Sequence, residues 1–145
     1  MKKIVLATAV VLLMVESYAS ESPTCSDDVV KELVLNISKK EVKRKLASDP
    51  TYNYWHQMVN MAGDRWTDGL NDAQIQWYEK KTKEIAAVDK INLKAIRTDG
   101  IDEGLKKVTC KAQLEFTNGY KHNINYTAQI TSEEEVFVEV NGLLK

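Results

Sequence analysis

The stretch KVTCKAQLEFTNGYKHNINYTAQI, residues 107–130, decides the fold. Val108, Cys110, Ala112, Leu114 and Phe116 alternate with Lys107, Thr109, Lys111, Gln113 and Glu115. That period of two marks a strand with one buried face. His122, Ile124, Tyr126, Ala128 and Ile130 alternate in the same way after the Asn118-Gly119 turn signal. A two-residue Asn118-Gly119 turn would set Phe116 opposite Lys121 and Leu114 opposite Asn123, mixing apolar and polar residues on one face. A three-residue loop, Thr117 to Gly119, instead pairs Phe116 with Tyr120, Leu114 with His122 and Cys110 with Tyr126. Because a one-residue slip exchanges the two faces of a strand, the second register is the one expected, with Gly119 in the left-handed position of a bulge.

The same parity extends outward. Val136, Val138 and Val140 form a last strand that pairs Ile130 with Val136, Ala128 with Val138 and Tyr126 with Val140, around the acidic loop 131–135. Residues 90–98 supply one more strand. Upstream the period changes to that of helices. Ser26, followed by Asp27 and Asp28, reads as the cap of a first helix carrying Val30, Leu33, Val34 and Ile37 on one stripe. Asp49-Pro50 ends it. Thr51 to Ala62 forms a second helix with Trp55, Met58, Val59 and Ala62 at helical spacing, stopped by Gly63. A third starts near Asn71 or Asp72 and turns Ile75, Tyr78, Thr82, Ile85 and Ala86 inward. The expectation is an α+β domain: three N-terminal helices packed on one face of a four-stranded antiparallel meander, the polar face left to water or a partner.

The chain has two cysteines, Cys25 and Cys110. Its N-terminus reads as a secretory signal: Lys2 and Lys3, a 12-residue apolar run from Ile4 to Val15 broken only by Thr8, then Ser17-Tyr18-Ala19. Cleavage is expected after Ala19, leaving residues 20–145 as a single domain. The run is short of the roughly 20 residues a bilayer span needs. Residues 22–24 before Cys25 do not form a lipidation signal. In an oxidising compartment two cysteines most simply make one disulfide. With Cys110 turned inward on a central strand, the bond would staple the start of the first helix to the sheet.

The remaining chain carries 18 basic and 20 acidic residues. Nucleic acid as a partner is disfavoured, since it demands a basic patch. Two cysteines and two histidines without zinc-ligand spacing argue against a metal, and no cofactor motif is present. The Lys39–Lys45 charge run is read as a solvated helix end. Residues 99–103 lack the ligand spacing of a calcium loop. His56 and His122 have no local carboxylate to orient them as general bases, so no catalytic residue is assigned. His122 and Tyr126 on the inner sheet face, with Trp55, Trp66 and Trp77 from the helices, are the candidates to line a pocket.

A cysteine opening a helix, further helices, then strands reading Val-Thr-Cys-Lys-Ala at 108–112 and Val-Phe-Val-Glu-Val-Asn-Gly at 136–142 resemble small envelope proteins of Gram-negative bacteria. The layout is similar to cystatin-like and NTF2-like folds. Many such relatives are lipoproteins, a property the sequence before Cys25 does not carry over. NTF2-like enzymes place an acid or histidine in the sheet's concavity, a position only His122 could take. The expectation is a periplasmic or secreted, non-enzymatic binding or inhibitory module of immunity or exclusion type, whose partner is another envelope protein. The alternatives are an NTF2-like small-molecule-binding protein or enzyme, and an accessory subunit of an envelope or secretion assembly.

Overall fold

The computed structural model describes residues 22–143. The expected secretory signal and its expected cleavage after Ala19 lie outside the described residues. Helices α1 (Asp28–Ala47), α2 (Pro50–Ala62) and α3 (Asp72–Ala87) precede strands β1 (Asn92–Asp102), β2 (Lys107–Glu115), β3 (Lys121–Ile130) and β4 (Val136–Asn141). The strands form one antiparallel sheet in the order β1-β2-β3-β4. The architecture is α+β, with helices ahead of strands.

The strand registers are those the alternation dictates. Leu114 faces His122 and Cys110 faces Tyr126 across β2 and β3. Ile130 faces Val136, Ala128 faces Val138 and Tyr126 faces Val140 across β3 and β4. Phe116 N–H donates to the Tyr120 carbonyl at 2.8 Å, closing the three-residue loop, and Gly119 sits at φ +84°. That value lies in the left-handed region where a side chain would clash, so glycine fits there. The acidic loop closes through Thr131 N–H to the Glu135 carbonyl at 2.9 Å, and the Thr131 hydroxyl accepts from the Glu133 and Glu135 amides. β1 runs to Asp102, past residue 98, by absorbing two irregularities, one between Lys94 and Arg97 and one between Thr98 and Gly100.

Cys25 and Cys110 form a disulfide with their Cα atoms 5.7 Å apart. Cys110 is fully buried, so the bond lies beneath α1 and joins the segment before that helix to a central strand. α1 begins one turn-defining residue later than its sequence signals indicate. Asp27, not Ser26, occupies the cap position, and its carboxylate accepts from the Thr24 amide at 2.8 Å. The chain is already held at Cys25, and the tight turn 24–27 must finish before helical bonding starts. Neither glycine nor proline interrupts α1, and Arg44 and Lys45 sit favourably in its last turn. Its apolar stripe buries Val30, Leu33, Val34 and Val42. Each such side chain contributes roughly 1.5–3 kcal/mol of burial free energy.

The core lies between α1 and the inner sheet face, where Val30, Val34, Cys110, Leu114, Ile124 and Tyr126 close on one another. The expected three-helix cover is corrected here. α1 meets the strands, whereas α3 packs on α1 and α2 packs on α3. α2 and α3 each bury one aromatic side chain against the other instead of a stripe against the sheet. Tyr52 is the buried residue of α2 and Tyr78 that of α3, and their rings stack with centroids 5.4 Å apart. Met58, Thr82 and Ala86, expected inside, are exposed. Asp49 caps α2 by accepting from the Thr51 and Tyr52 amides, with Pro50 at the first helical position. Asn71 and Gln74 make a reciprocal capping box on α3.

Candidate functional site

The five residues proposed from sequence to line a pocket fall in three places. Tyr126 is fully buried in the core, where its hydroxyl donates to the Cys25 carbonyl at 2.7 Å. Burial pushes its phenol up to about 12. His122 lies at the end of the inner face, and its Nε2 donates to the Gly142 carbonyl, which fixes the tautomer. Its ring stacks on Tyr120 at 6.4 Å. Trp55 is half-buried on α2 with its edge toward Tyr54, and Trp77 is 37% exposed on α3. Trp66 packs on Tyr78 at 5.1 Å.

Trp66 thereby joins an aromatic cluster with Tyr52, Tyr78 and His56. His56 stacks on Tyr52 at 5.4 Å, and its Nδ1 shares a 2.9 Å hydrogen bond with the Tyr78 hydroxyl. Desolvation raises the Tyr78 phenol above its ordinary range. The cluster is the packing contact between α2 and α3. Among the described residues no group of three or more His, Cys, Asp or Glu side chains could hold a metal ion. No described helix is long and apolar enough to cross a membrane.

The displacement of α3 from the sheet opens a groove of about 830 Å³ against the β2–β3 hairpin. Val42 and Leu46 of α1, with Ala87 and Val88, form an apolar floor. Phe116 and Tyr120 flank the hairpin tip on one side, their rings 5.5 Å apart and Tyr120 55% exposed. The facing wall is one side of α3, which presents two acids, Glu79 and Glu84, and two bases, Lys80 and Lys83. Glu79 and Lys83, and likewise Lys80 and Glu84, stand four residues apart, so the wall is charged but balanced. An apolar floor under a balanced rim suits a neutral or amphipathic surface.

None of the five residues singled out from sequence lines this groove. Phe116 and Tyr120 were legible as a cross-strand pair at a hairpin tip, where one aromatic, Phe116, leans on the core and the other, Tyr120, stays exposed. Leu46, four residues after Val42, extends the α1 stripe past the sheet and was the other clue. The chain matches no protein-family model, no curated protein and no solved structure.

Proposed function

We propose that the protein is an exported, non-enzymatic binding module of immunity or exclusion type, which takes a segment of another envelope protein into the groove between α3 and the β2–β3 hairpin. The observation that carries this reading is the groove's composition: an apolar floor of Val42, Leu46 and Val88, an exposed Tyr120 at its lip, and a charged but balanced wall. Aromatic anchors beside an apolar, desolvated centre are the usual source of binding energy at protein interfaces. The disulfide and the secretory segment read from the first residues support a place outside the cytoplasm.

The space beneath the sheet, which an NTF2-like enzyme would use for substrate, is filled by Val30, Val34 and Tyr126. Binding is therefore assigned to the outer groove. Photo-crosslinking tests it. A benzophenone side chain replacing Tyr120 in cells should trap one discrete envelope protein, and the same group at the exposed loop residue Glu133 should not. Equal labelling from both positions, or none from either, overturns the proposal.

A second reading rests on the groove's volume, which lies in the range of small-ligand sites. Under it, an uncharged apolar dye would bind with defined stoichiometry, and Leu46→Glu would abolish binding.

A further inference from the structure

The open face of the sheet, opposite α1, carries a second recess of about 300 Å³. It arises from the first irregularity of β1. The register shift between Lys94 and Arg97 puts Ala95 at φ +51°, a left-handed conformation that a non-glycine residue seldom adopts. Such bulges bend an edge strand and re-aim its side chains. Here the bend sets Arg97 directly across from Lys111. Two cations opposite one another on neighbouring strands repel, so the pairing costs stability when nothing lies between them. Asp99 offsets part of this by an ion pair with Lys111 at 3.2 Å. Arg97 has no ion-pair partner among the described residues.

The rest of the lining is donor-rich. Gln113, Asn123 and Asn125 project into the recess from β2 and β3, and no carboxylate lines it. Gln113 Nε2 donates to Asn123 Oδ1 at 3.1 Å, which occupies the Asn123 acceptor and leaves its amide hydrogens free. Ala112 and Ile124 are buried, so they present only backbone to this face. The unpaired Arg97 guanidinium and the amide N–H groups, with the Lys111 ammonium that Asp99 holds beside them, match an oxyanion. The volume stands at the lower end of ligand sites and admits a body of about monosaccharide size.

We propose that this recess binds the oxyanion group of a small hydrophilic ligand, a carboxylate, sulfate or phosphate, with Arg97 and Lys111 as the charged contacts and Gln113, Asn123 and Asn125 as donors. The site is on the opposite side of the sheet from the groove and does not depend on the function proposed for it.

The test is a titration of the disulfide-bonded, isotope-labelled chain, following the side-chain amide signals of Gln113, Asn123 and Asn125. The probes are glucuronate, glucose 6-phosphate, inorganic sulfate, inorganic phosphate and neutral glucose. Saturable shifts at these amides with at least one anion, and none with glucose, are expected. Glucuronate alone would assign a carboxylate, glucose 6-phosphate alone a phosphorylated sugar, and the inorganic ions alone a free oxyanion. Arg97→Gln, at an exposed position, should weaken binding by at least about tenfold, since hydrogen bonds to charged groups are the strong ones. Lys40→Gln, exposed on α1 and outside both recesses, should leave it unchanged. Ala95→Leu, which fills the recess, should abolish it. Equal shifts with glucose, unsaturable shifts, no shift with any anion, or undiminished binding by Arg97→Gln would overturn the proposal.

Discussion

The hydroxyl of Tyr126 donates a 2.7 Å hydrogen bond to the backbone carbonyl of Cys25, and Tyr126 is the cross-strand neighbour of Cys110, to which Cys25 is bonded. Residue 25 is therefore held to the sheet twice, once covalently through β2 and once by a buried hydrogen bond from β3. Tyr126→Phe keeps the ring and removes the bond, leaving the Cys25 carbonyl without that donor. A loss of about 1–2 kcal/mol is expected, measured by chemical unfolding at neutral pH.

The same phenol makes a prediction at alkaline pH. Its folded-state value is raised by burial from 10.0 to about 12. The unfolded chain therefore ionises first. The contribution is fully present below pH 10 and is lost as the pH rises through 12, at no more than about 1.4 kcal/mol per pH unit for one group. Tyr126→Phe should unfold with a shallower pH dependence in that window. Equal slopes for the two proteins would show that Tyr126 does not titrate with unfolding.

Replacing both cysteines, Cys25→Ala with Cys110→Ala, opens a loop spanning a sequence separation of 85. The chain-entropy model puts the loss at about 4–5 kcal/mol. Because both sulfurs lie in the core beneath α1, the double variant should also speed hydrogen exchange in the first turn of α1 more than in β3. Exchange that rises evenly across the chain would mean the bond acts only on the unfolded state.

Ser38 is fully buried on α1, and its hydroxyl has no hydrogen-bond partner among the described residues. Burying an unpaired hydroxyl costs roughly 1–3 kcal/mol by mutational estimates. Ser38→Ala removes that cost and gains helix propensity. An increase in stability of about 1 kcal/mol is expected, read as a higher denaturant midpoint with unchanged slope.

Asn71 accepts from the Gln74 amide at 3.0 Å while Gln74 reaches back to the Asn71 amide at 3.0 Å. Asn71→Ala should cost about 1 kcal/mol. Since α3 rests mainly on α2 and α1, the effect should show first as faster amide exchange at the start of α3, with the sheet protected as before.

The sheet was legible from one dimension because a strand's side chains have a period of two. Once Leu114, Cys110, Ile124 and Tyr126 must share a face, only the three-residue loop satisfies them, and the register of the final hairpin follows. With Cys110 on that face and Cys25 just ahead of a helix, the covalent staple was readable as well. The helices were legible as helices, through Asp49-Pro50, Asn71 and their apolar spacing, but their placement was not. Helical periodicity shows which side of a helix is apolar and says nothing about what meets it. Trp55 and Trp77 were candidates for a pocket, yet Tyr52 and Tyr78 are the residues that α2 and α3 bury, stacked on each other, while Trp77 stays 37% exposed.

The amino-acid sequence by itself determined the strand parity, the pairing of the two cysteines and the order of helices before strands, because each depends on local spacing or on having a single possible partner. The tertiary structure alone decided that α1 lies on the sheet while α2 and α3 stand away from it. It also decided that Leu46, Val88 and Tyr120 meet around a groove, and that a bulge at Ala95 brings Arg97 opposite Lys111. Those juxtapositions join residues far apart along the chain, and they follow from which apolar surfaces remain unsatisfied after each element has paired.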